Sequence, residues 1–563
     1  MAYIVGKKQD GHTYYYLTES ARVDGKPRIV SQQYLGPAEE IAERLAGTGP
    51  GEPDRVQVRS FGDLAGVWST LERLGVREII DEVVGPRRGD VAASVGTYIA
   101  LATANRIVAP CSKLAFGKWW DTTAGPRIAK VRTTALDHRR FWDAMDTLSA
   151  EHLVAAERKI TEAMVDRFDL DLSGLVLDMT NFATFVDTQN ERNTIAQRGK
   201  AKQKRNDLRL VGLGLVVTTD GNIPICSRTY SGNRPDVTQF GPIVDELCAR
   251  WGSLAQASDT LTLTYDAGQD SIANQTLIET SPLHFVGSVP PSDLPDLLAV
   301  PRDQYGPVDT GRYPGLTYYE TRARALGADR RLIVTHSPTL ADKQHQGFNQ
   351  TLTKASRALD ELTSRLARGN TRRPRKAVEA NIARILKPRW VNRVITTTLV
   401  GTEPAELRLA YQIDQDARDD LEEELFGKRI LFTDHDDWPV VDVVAAYRSQ
   451  SDVEAGFRQL KDVKILATTP MFHWTDQKIR VHIFYCVLAL ATAHLMRRQA
   501  AQDGINISVR ELLNTLAEIK ETTLLYQHNK KGRPRARHIL TDTTPTQDRL
   551  YNLFNLDRYA PRR

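Results

Sequence analysis

The segment Tyr447–Lys461 constrains the chain more than any other stretch. At 100° per residue, its polar side chains fall within roughly 80° of arc on one face of a helix: Tyr447, Gln450, Glu454, Arg458 and Lys461. A neighbouring apolar stripe could pack this helix on a core: Ala446, Val453, Phe457 and Leu460. The pattern predicts one amphipathic helix that holds the Glu454 carboxylate beside a buried surface. A solvated helix face with intrahelical ion pairs would show the same pattern.

Length and composition indicate a multidomain globular protein. At 563 residues the chain is too long for one core, and 41% hydrophobic with 26% charged residues is typical of soluble domains. We expect no membrane association, because no apolar run reaches spanning length and MAYIVGKKQDG lacks the apolar region of a secretory signal. The four cysteines lack CxxC spacing, which favours a reducing cytoplasm and argues against a zinc site.

The basic residues are clustered although the net charge is only +5. Three blocks stand out: seven cations within 192–209 (Arg192, Arg198, Lys200, Lys202, Lys204, Arg205, Arg209), then Arg372, Arg373, Arg375 and Lys376, then Lys530, Lys531, Arg533, Arg535 and Arg537. Separate basic patches suit a long polyanion that crosses several domains. Each block alone is equally typical of a solvated loop.

Short apolar runs after residue 170 predict the strands of an α/β domain. GLVLDM (174–179) reads as a buried strand with Asp178 at its end, a hairpin follows around Asp220, and a helix spans 235–250. TLTLTYD ends on Asp266, and HFVGSV (284–289) is a fifth strand. This β-β-β-α-β-α-β order is that of an RNase H-like core.

The connection to the Glu454 helix is too long for such a core, because 188 residues separate Asp266 from Glu454. We therefore predict a multidomain α/β fold whose RNase H-like catalytic core is interrupted by a large insertion. The predicted domains are a small β-sheet (1–58), a helical region (59–170), the core (171–289 and 426–500), the insertion (290–425) and a basic C-terminal region (501–563) that begins helical and is poorly ordered at its end.

The spacing of Tyr447, Glu454 and Lys461 resembles the signature of the insertion-sequence-four superfamily of bacterial DDE transposases, with Gln450 where that family has arginine. The opening hairpin that ends in YLG resembles its sixteen-thirty-four subgroup. RGKAKQKRNDLR (198–209) and YSGN with Asp236 are similar to two further family elements, and His473, Asp476, Arg480 and His482 to its trailing pattern. We interpret His482 as structural or as a phosphate contact.

Three carboxylates at one sheet edge, Asp178, Asp266 and Glu454, suit two Mg²⁺ ions, for which Mn²⁺ would substitute. Asp178 would bridge the ions and the other two acids would each complete one. The two aspartates could instead be helix caps or salt-bridge partners. The expected DNA contacts are Tyr447, Gln450, Arg458, Lys461, Lys200, Lys202, Arg205, Arg372, Arg373, Arg375 and Lys376. Trp390 and Trp438 are candidates for stacking on a flipped base.

The resemblance implies cut-and-paste movement of an insertion sequence in the bacterial nucleoid. The partners would be double-stranded DNA, as transposon ends and target, with a homodimer bridging two ends and a hairpin as an intermediate. A structure-selective nuclease or resolvase on the same fold, or a DNA-binding protein derived from a transposase, remain alternatives.

Overall fold

The computed structural model describes residues 2–23, 26–45, 53–86, 92–187, 189–202, 205, 207–254, 260–369, 373–526 and 535–561. The chain forms two compact units. The first combines Met1–Gly66, Lys118–Thr133 and Leu513–Arg563, and the second combines Val67–Gly117 and Thr134–Leu512.

The predicted small sheet and the predicted helices are both present in the first 170 residues. The elements are β1 (Ala2–Gln9), β2 (His12–Val23), β3 (Lys26–Pro37), α1 (Ala38–Leu45), β4 (Arg55–Ser60), α2 (Gly62–Leu74), α3 (Val76–Val84), α4 (Val95–Val108), α5 (Phe116–Asp121), α6 (Gly125–Ile128), α7 (His138–Thr147) and α8 (Ala150–Phe168). Several of these helices begin at a polar cap. Ser94, Asp137 and Ser149 each accept a backbone N–H of the first turn, which supplies a partner that the helix itself lacks.

The next segment contains the predicted alternation of strands and helices. It comprises β5 (Gly174–Thr184), β6 (Arg209–Thr218), β7 (Pro224–Ser231), α9 (Phe240–Leu254), β8 (Thr262–Thr264), α10 (Ile272–Glu279) and β9 (His284–Val289). β5 is longer than the predicted GLVLDM run, because the polar stretch after Asp178 also pairs with β6. Asp178 therefore lies inside the strand and not at its end, which corrects the expectation.

The remainder of the chain alternates strands and helices. Its elements are α11 (Pro295–Leu298), β10 (Gly306–Pro307), β11 (Thr317–Ala325), β12 (Ala328–His336), α12 (Pro338–Ala367), α13 (Arg375–Leu386), α14 (Val391–Val394), β13 (Ile395–Val400), β14 (Arg408–Ile413), α15 (Gln415–Leu425), β15 (Lys428–Thr433), α16 (Val440–Arg448), α17 (Gln450–Lys461), α18 (Asp476–Gln502), α19 (Val509–Ala517), β16 (Lys520–Tyr526), β17 (Arg535–Leu540) and α20 (Pro545–Leu553).

A nine-stranded mixed sheet organises the second unit, in the order β10-β11-β12-β15-β9-β8-β5-β6-β7. β5, β8 and β9 run parallel to one another, while β6 and β7 are antiparallel additions next to β5. β6 is buried along almost its whole length, as its apolar sequence requires in a sheet that is covered on both faces. Within the predicted insertion (290–425), β11 and β12 form a hairpin, and these strands join the same sheet through β15.

The helices between β12 and β15 have a core of their own. α12 buries an apolar stripe that includes Phe348, Leu352 and Leu359, spaced as the helical repeat demands. These side chains belong to one buried cluster with Val394 and Phe426, and β13 pairs with β14 beside it. This cluster contains no residue of the nine-stranded sheet.

The C-terminal region is ordered in large part, contrary to the expectation. β16 pairs with β4 from the start of the chain and with β17, and α20 follows with Leu550 buried. The partner strand of β16 lies more than 450 residues away in sequence, so no local pattern could indicate the pairing. Lys530, Lys531 and Arg533 of the third basic block lie outside the described residues.

Helix α18 is long and apolar enough, by length and composition, to cross a membrane, which corrects the expectation that no apolar run reaches that length. However, 94% of its most apolar window is buried inside the protein, as in a core helix of a globular domain.

We expect Arg127→Ala to lower the free energy of unfolding by about 3 kcal/mol, because it removes one partner of a buried ion pair. The guanidinium of Arg127 contacts the carboxylate of Glu521, whose side chain is 2% exposed, and also donates to the Tyr559 carbonyl at 2.6 Å. Urea denaturation measures the loss. Arg55→Ala is the matched control, since the side chain of Arg55 is 76% exposed; an equal effect of the two variants would contradict the prediction.

Candidate active site

Asp178 lies on β5, and Asp266 lies two residues beyond the end of the adjacent parallel strand β8, not at the end of the strand as predicted, but at the corresponding level. Val176 of β5 pairs with Thr264 of β8, and Thr264 pairs with Val286 of β9. The ladder continues beyond β8, because the Tyr265 N–H donates to the Val286 carbonyl at 3.1 Å. Two residues further along, the three chains carry Asp178, Asp266 and Ser288. The sequence pattern predicted the first two, and Ser288 was missed because a serine in an apolar strand carries no motif.

The Asp178 carboxylate is half-buried on the β5 face that α17 covers. Burial raises its pKa to about 6, and the negative charges of Asp266 and Glu454 add to the rise. The Met179 N–H, which donates to Asp178 Oδ1 at 2.6 Å, and the ammonium of Lys202 act in the opposite direction. Asp266 and Glu454 are therefore near enough for their charges to act on Asp178.

Asp266 has a second role that the sequence analysis allowed for. Its Oδ1 accepts the Gly268 N–H at 2.9 Å and so caps a short 3₁₀ turn after β8. An aspartate with one oxygen in a cap keeps its other oxygen for a further partner. The cap orients the carboxylate without excluding a ligand role.

Helix α17 brings Glu454 to this edge by packing across β5. Lys461 Nζ donates to Thr180 Oγ1 at 2.6 Å and lies 5.5 Å from the centre of the Phe182 ring. Thr180 and Phe182 share the strand face of Asp178, because side chains alternate along a strand. Glu454 is exposed two turns before Lys461, and Arg458 between them is also exposed. Burial lowers the pKa of Lys461, and the nearby Lys202 ammonium lowers it further.

The predicted single helix is two helices, with a break at Ser449. The Ser449 hydroxyl bonds back to the Ala446 carbonyl, and its N–H is shared between the carbonyls of Ala445 and Ala446. Such back-bonding competes with the regular helical ladder. Tyr447 therefore belongs to α16, and its hydroxyl donates to Ser288 Oγ at 3.0 Å. Tyr447 reaches the same sheet edge as the acids, but not on the face of the Glu454 helix.

Gln450 is the first residue of α17. Its side-chain Nε2 is buried and has no hydrogen-bond partner within the described part of the chain. A buried amide without a partner is costly in free energy.

Two segments that resemble family elements meet beside Asp178. Lys202 Nζ contacts Asp236 Oδ2 at 2.9 Å and also the Met179 carbonyl, while the Tyr230 hydroxyl donates to Asp236 Oδ1 at 2.6 Å. Asn181 holds the Lys200 carbonyl at 2.9 Å and the Lys202 N–H at 3.1 Å. The Lys202 charge is thereby fixed near the acids. Lys200 is exposed, and Arg205 forms a two-point pair with Asp207.

Glycine is required where these two segments touch. A Cβ on Gly199 would lie 2.1 Å from the Gly232 carbonyl oxygen, and one on Gly232 would lie 1.9 Å from that of Leu210. Both distances are far below van der Waals contact, so larger residues cannot occupy these positions without moving the backbone. The close packing holds the loop of Lys202 against β6 and β7.

Asp270 is a fourth acid at this edge that the sequence analysis missed. Neither oxygen of its buried carboxyl has a hydrogen-bond partner among the described residues. Burial, with smaller contributions from the charges of Asp266 and Asp293, raises its pKa to about 7, and the positive charge of Arg330 opposes the rise. Its position four residues after Asp266, in YDAGQD, is a sequence signal that could have identified it as a further acid at this edge.

The other predicted DNA contacts lie elsewhere. Arg375 donates to the carbonyls of Gly401 at 2.7 Å and Leu399 at 2.9 Å and pairs with Glu379, so it ties α13 to the end of β13. Arg373 and Lys376 are exposed beside it. Arg372 lies outside the described residues. These contacts stay predictions.

The two tryptophans predicted to stack on a base are engaged within the protein. The Trp390 ring lies 5.3 Å from that of Phe426 and 4.2 Å from the Arg389 guanidinium. The Trp438 ring stacks on His435 at 3.8 Å. Each could still offer one face, and their role in base stacking stays a prediction.

His482 has the contacts of a structural residue. Its Nε2 lies 2.8 Å from the Thr468 carbonyl and must donate to it, so Nδ1 accepts from His473 Nε2 at 3.0 Å. Complete burial lowers the pKa of His482 well below its ordinary value. Both ring nitrogens are used, which agrees with the structural interpretation.

Another set of side chains has the spacing of metal ligands, since ligand atoms of His284, Asp434 and His435 all lie within 4.8 Å of one another. The carboxylates of Asp178, Asp266 and Glu454 are not drawn together to that extent. However, the rings of His284 and His435 are stacked at 4.5 Å and 25°, and His435 Nε2 bonds to Thr262 Oγ1 at 2.7 Å. A metal lies in the plane of each imidazole that binds it, so these stacked rings do not converge on one ion.

Among known proteins, the likenesses to this chain come from solved structures and are distant. No protein-family model matches the chain, and no curated protein matches it. Among solved structures, a cryo-EM structure of a piggyBac transposase synaptic complex with hairpin DNA aligns over 83% of this chain and 82% of that chain, with 10% identity and a TM-score of 0.35. We draw no functional conclusion from a likeness at this level.

Asp270→Asn should become more stable relative to the wild type as the pH rises from 4 to 7. The ordinary pKa of 3.8 is raised to about 7 in the fold, so the folded protein keeps a proton that the unfolded chain releases. The stability from this group is complete below pH 3.8 and is lost as the pH rises through about 7, by up to about 1.4 kcal/mol per pH unit. Asparagine has no such proton.

Urea denaturation of both proteins across this pH range tests the effect. Asp187→Asn on the exposed loop after β5 is the matched control and should show no such trend. A stability difference between Asp270→Asn and the wild type that does not change with pH would contradict the assignment.

Proposed function

We propose that the chain is a divalent-metal-dependent DNA transposase with an RNase H-like core. The observation that carries the proposal is the shared level of Asp178 on β5 and Asp266 just beyond the adjacent parallel strand β8, with Glu454 on a helix that crosses β5. The strand order β7-β6-β5-β8-β9, with the first three strands antiparallel and the last three parallel, supports the assignment of the core.

The residues at this edge fit magnesium. Carboxylate oxygens are the donors that Mg²⁺ prefers. The raised pKa of Asp178 reflects its burial first and the negative charges of Asp266 and Glu454 second, and a bound cation would offset both. We assign two Mg²⁺ ions, replaceable by Mn²⁺, to Asp178, Asp266 and Glu454, with Asp178 shared. When bound, such ions supply Lewis-acid stabilisation to the attacking and leaving oxygens at phosphorus.

The cations beside the acids would contact the phosphate groups of bound DNA. Lys461 is held by Thr180 and Phe182, and Lys202 by Asp236, so both ammonium groups are oriented before DNA arrives. Preoriented charges lose little freedom on binding and stabilise the negative charge that develops on the phosphate oxygens. Tyr447 lies at the same edge, and it would contact the DNA strand beside the scissile phosphate, as we also expect of Gln450 at the start of α17.

The reaction that we propose is the excision and joining of an insertion sequence. The chain would bind the terminal inverted repeats, cleave them, pass through a hairpin at the transposon end, and join the ends to target DNA. A nuclease or resolvase with the same residues would cut but not join. An assay that scores joined products separates these functions.

Asp178→Asn, Asp266→Asn and Glu454→Gln should each abolish cleavage and joining of DNA taken from the flanks of the coding gene, while DNA binding persists. Each change removes a charged oxygen donor but preserves the size of the side chain. Asp452→Asn is the matched control, because it makes the same charge change on the same helix, where the side chain bonds to Asn222.

Thermal unfolding provides a readout that does not depend on activity. Added Mg²⁺ or Mn²⁺ should raise the melting temperature of the wild type and of Asp452→Asn, but not that of Asp178→Asn. Cleavage by any of the three acid variants would remove that residue from the site.

Two chains should hold two end fragments in the cleaving complex. An insertion sequence has two ends, both must reach one target, and one active site cannot hold both, so a two-fold symmetric dimer is the simplest assembly. Light scattering of the protein with end DNA measures the stoichiometry. A competent complex of one chain and one DNA would refute the assembly.

A further inference from the structure

Three aromatic side chains lie exposed around the end of β5. Phe185 is 43% exposed, Phe472 is 60% exposed and Trp474 is 62% exposed. We call these three residues the aromatic platform. Large aromatic rings left in water mark a surface that binds something, because their burial is strongly favourable.

The platform is built on fixed backbone. The Phe185 N–H donates to the Met471 carbonyl at 2.8 Å, and the Phe185 and Phe472 rings lie 5.4 Å apart with a tilt of 36°. Asn190 Nδ2 donates to the Trp474 carbonyl at 2.9 Å. These contacts hold the end of β5 to the segment before α18 and so keep the rings in one region.

Two cations lie near the platform. Arg209 donates to the Asn190 carbonyl at 3.0 Å, and Lys464 is exposed between α17 and Phe472. Of the nearby acids, Asp462 pairs with Arg510 at 2.5 Å, and Asp476 accepts the N–H groups of Thr194 and Ile195. Asp187 and Glu191 are exposed.

We propose that the aromatic platform binds unpaired bases of a DNA strand that runs from the active site. Flat aromatic faces beside cations suit a chain of bases joined by phosphates, because bases stack on the rings while the cations contact the backbone. An apolar protein segment would use the rings but not the cations. The platform is a different surface from Trp390 and Trp438.

The distance along the chain from Asp178 to Phe185 indicates which bases would contact the platform. Seven residues separate Asp178 from Phe185, and at about 3.3 Å per residue this corresponds to about 23 Å. That length spans roughly seven base-pair steps of 3.4 Å. The platform would therefore take bases several steps from the scissile phosphate and not the nucleotide that is cut. This placement rests on the proposed function, whereas the binding of unpaired bases does not.

The test compares two DNAs of equal length and sequence, one fully paired and one with a central unpaired bubble. Fluorescence anisotropy with EDTA present measures binding without cleavage. Because each stacked base strengthens binding by roughly 5- to 150-fold, Trp474→Ala and Phe472→Ala should each weaken binding of the bubble DNA at least about fivefold. Binding of the paired DNA should change by about twofold or less. Trp142→Ala, at another exposed tryptophan (42%), is the matched control and should change neither.

A second readout reports stacking directly. 2-Aminopurine placed in the bubble should lose fluorescence on binding the wild type and regain it with Trp474→Ala. Equal weakening of both DNAs, or no weakening of either, would overturn the proposal. So would a change in the mass of the DNA-free protein in Trp474→Ala, because the surface would then bind a second copy. Failure of the wild-type protein to cleave DNA with Mg²⁺ present would contradict the proposed function but not the binding of unpaired bases by the platform.

Discussion

Partly buried carboxylates at the edge of the buried sheet are the main constraint on the structure of the second unit. Asp178 and Asp270 both pay a desolvation cost, which their raised pKa values record. The cost persists only because the surrounding structure determines these positions. β5, β8 and β9 are buried apolar strands, so the free energy of the sheet as a whole outweighs the penalty at its edge.

The neighbouring cations are organised around these acids. Lys202 is anchored by Asp236, which in turn accepts from Tyr230, and Lys461 is anchored by Thr180. Both lysines therefore contribute positive charge near Asp178 without forming a close ion pair with it, which leaves the carboxylate oxygens accessible to another partner. The close backbone packing of Gly199 against Gly232 also holds the Lys202 loop in place.

Local patterns predicted the strands and helices well where the sequence of a segment clearly favours one structure. Alternation and turn residues indicated β1 to β3, and apolar runs indicated β5 to β9 in the correct order. The patterns were weaker where two structures are close in free energy. The helical spacing of Tyr447 to Lys461 ran through Ser449, whose hydroxyl bond to Ala446 ends one helix and starts another. Local patterns also do not show which aromatic rings are exposed: the rings of Trp390 and Trp438 contact other side chains, whereas Phe472 and Trp474 are exposed.

By itself, the sequence determined which residues are candidates for the site and on which elements they lie, because strand and helix periodicity and the spacing of Tyr447, Glu454 and Lys461 are local properties. Only the tertiary structure decided that Asp178 and Asp266 share one level, that Asp270 and Ser288 join them, and that β16 pairs with β4. Register between strands and pairing across hundreds of residues depend on how whole faces bury their apolar surface, and this is a property of the folded chain rather than of any segment.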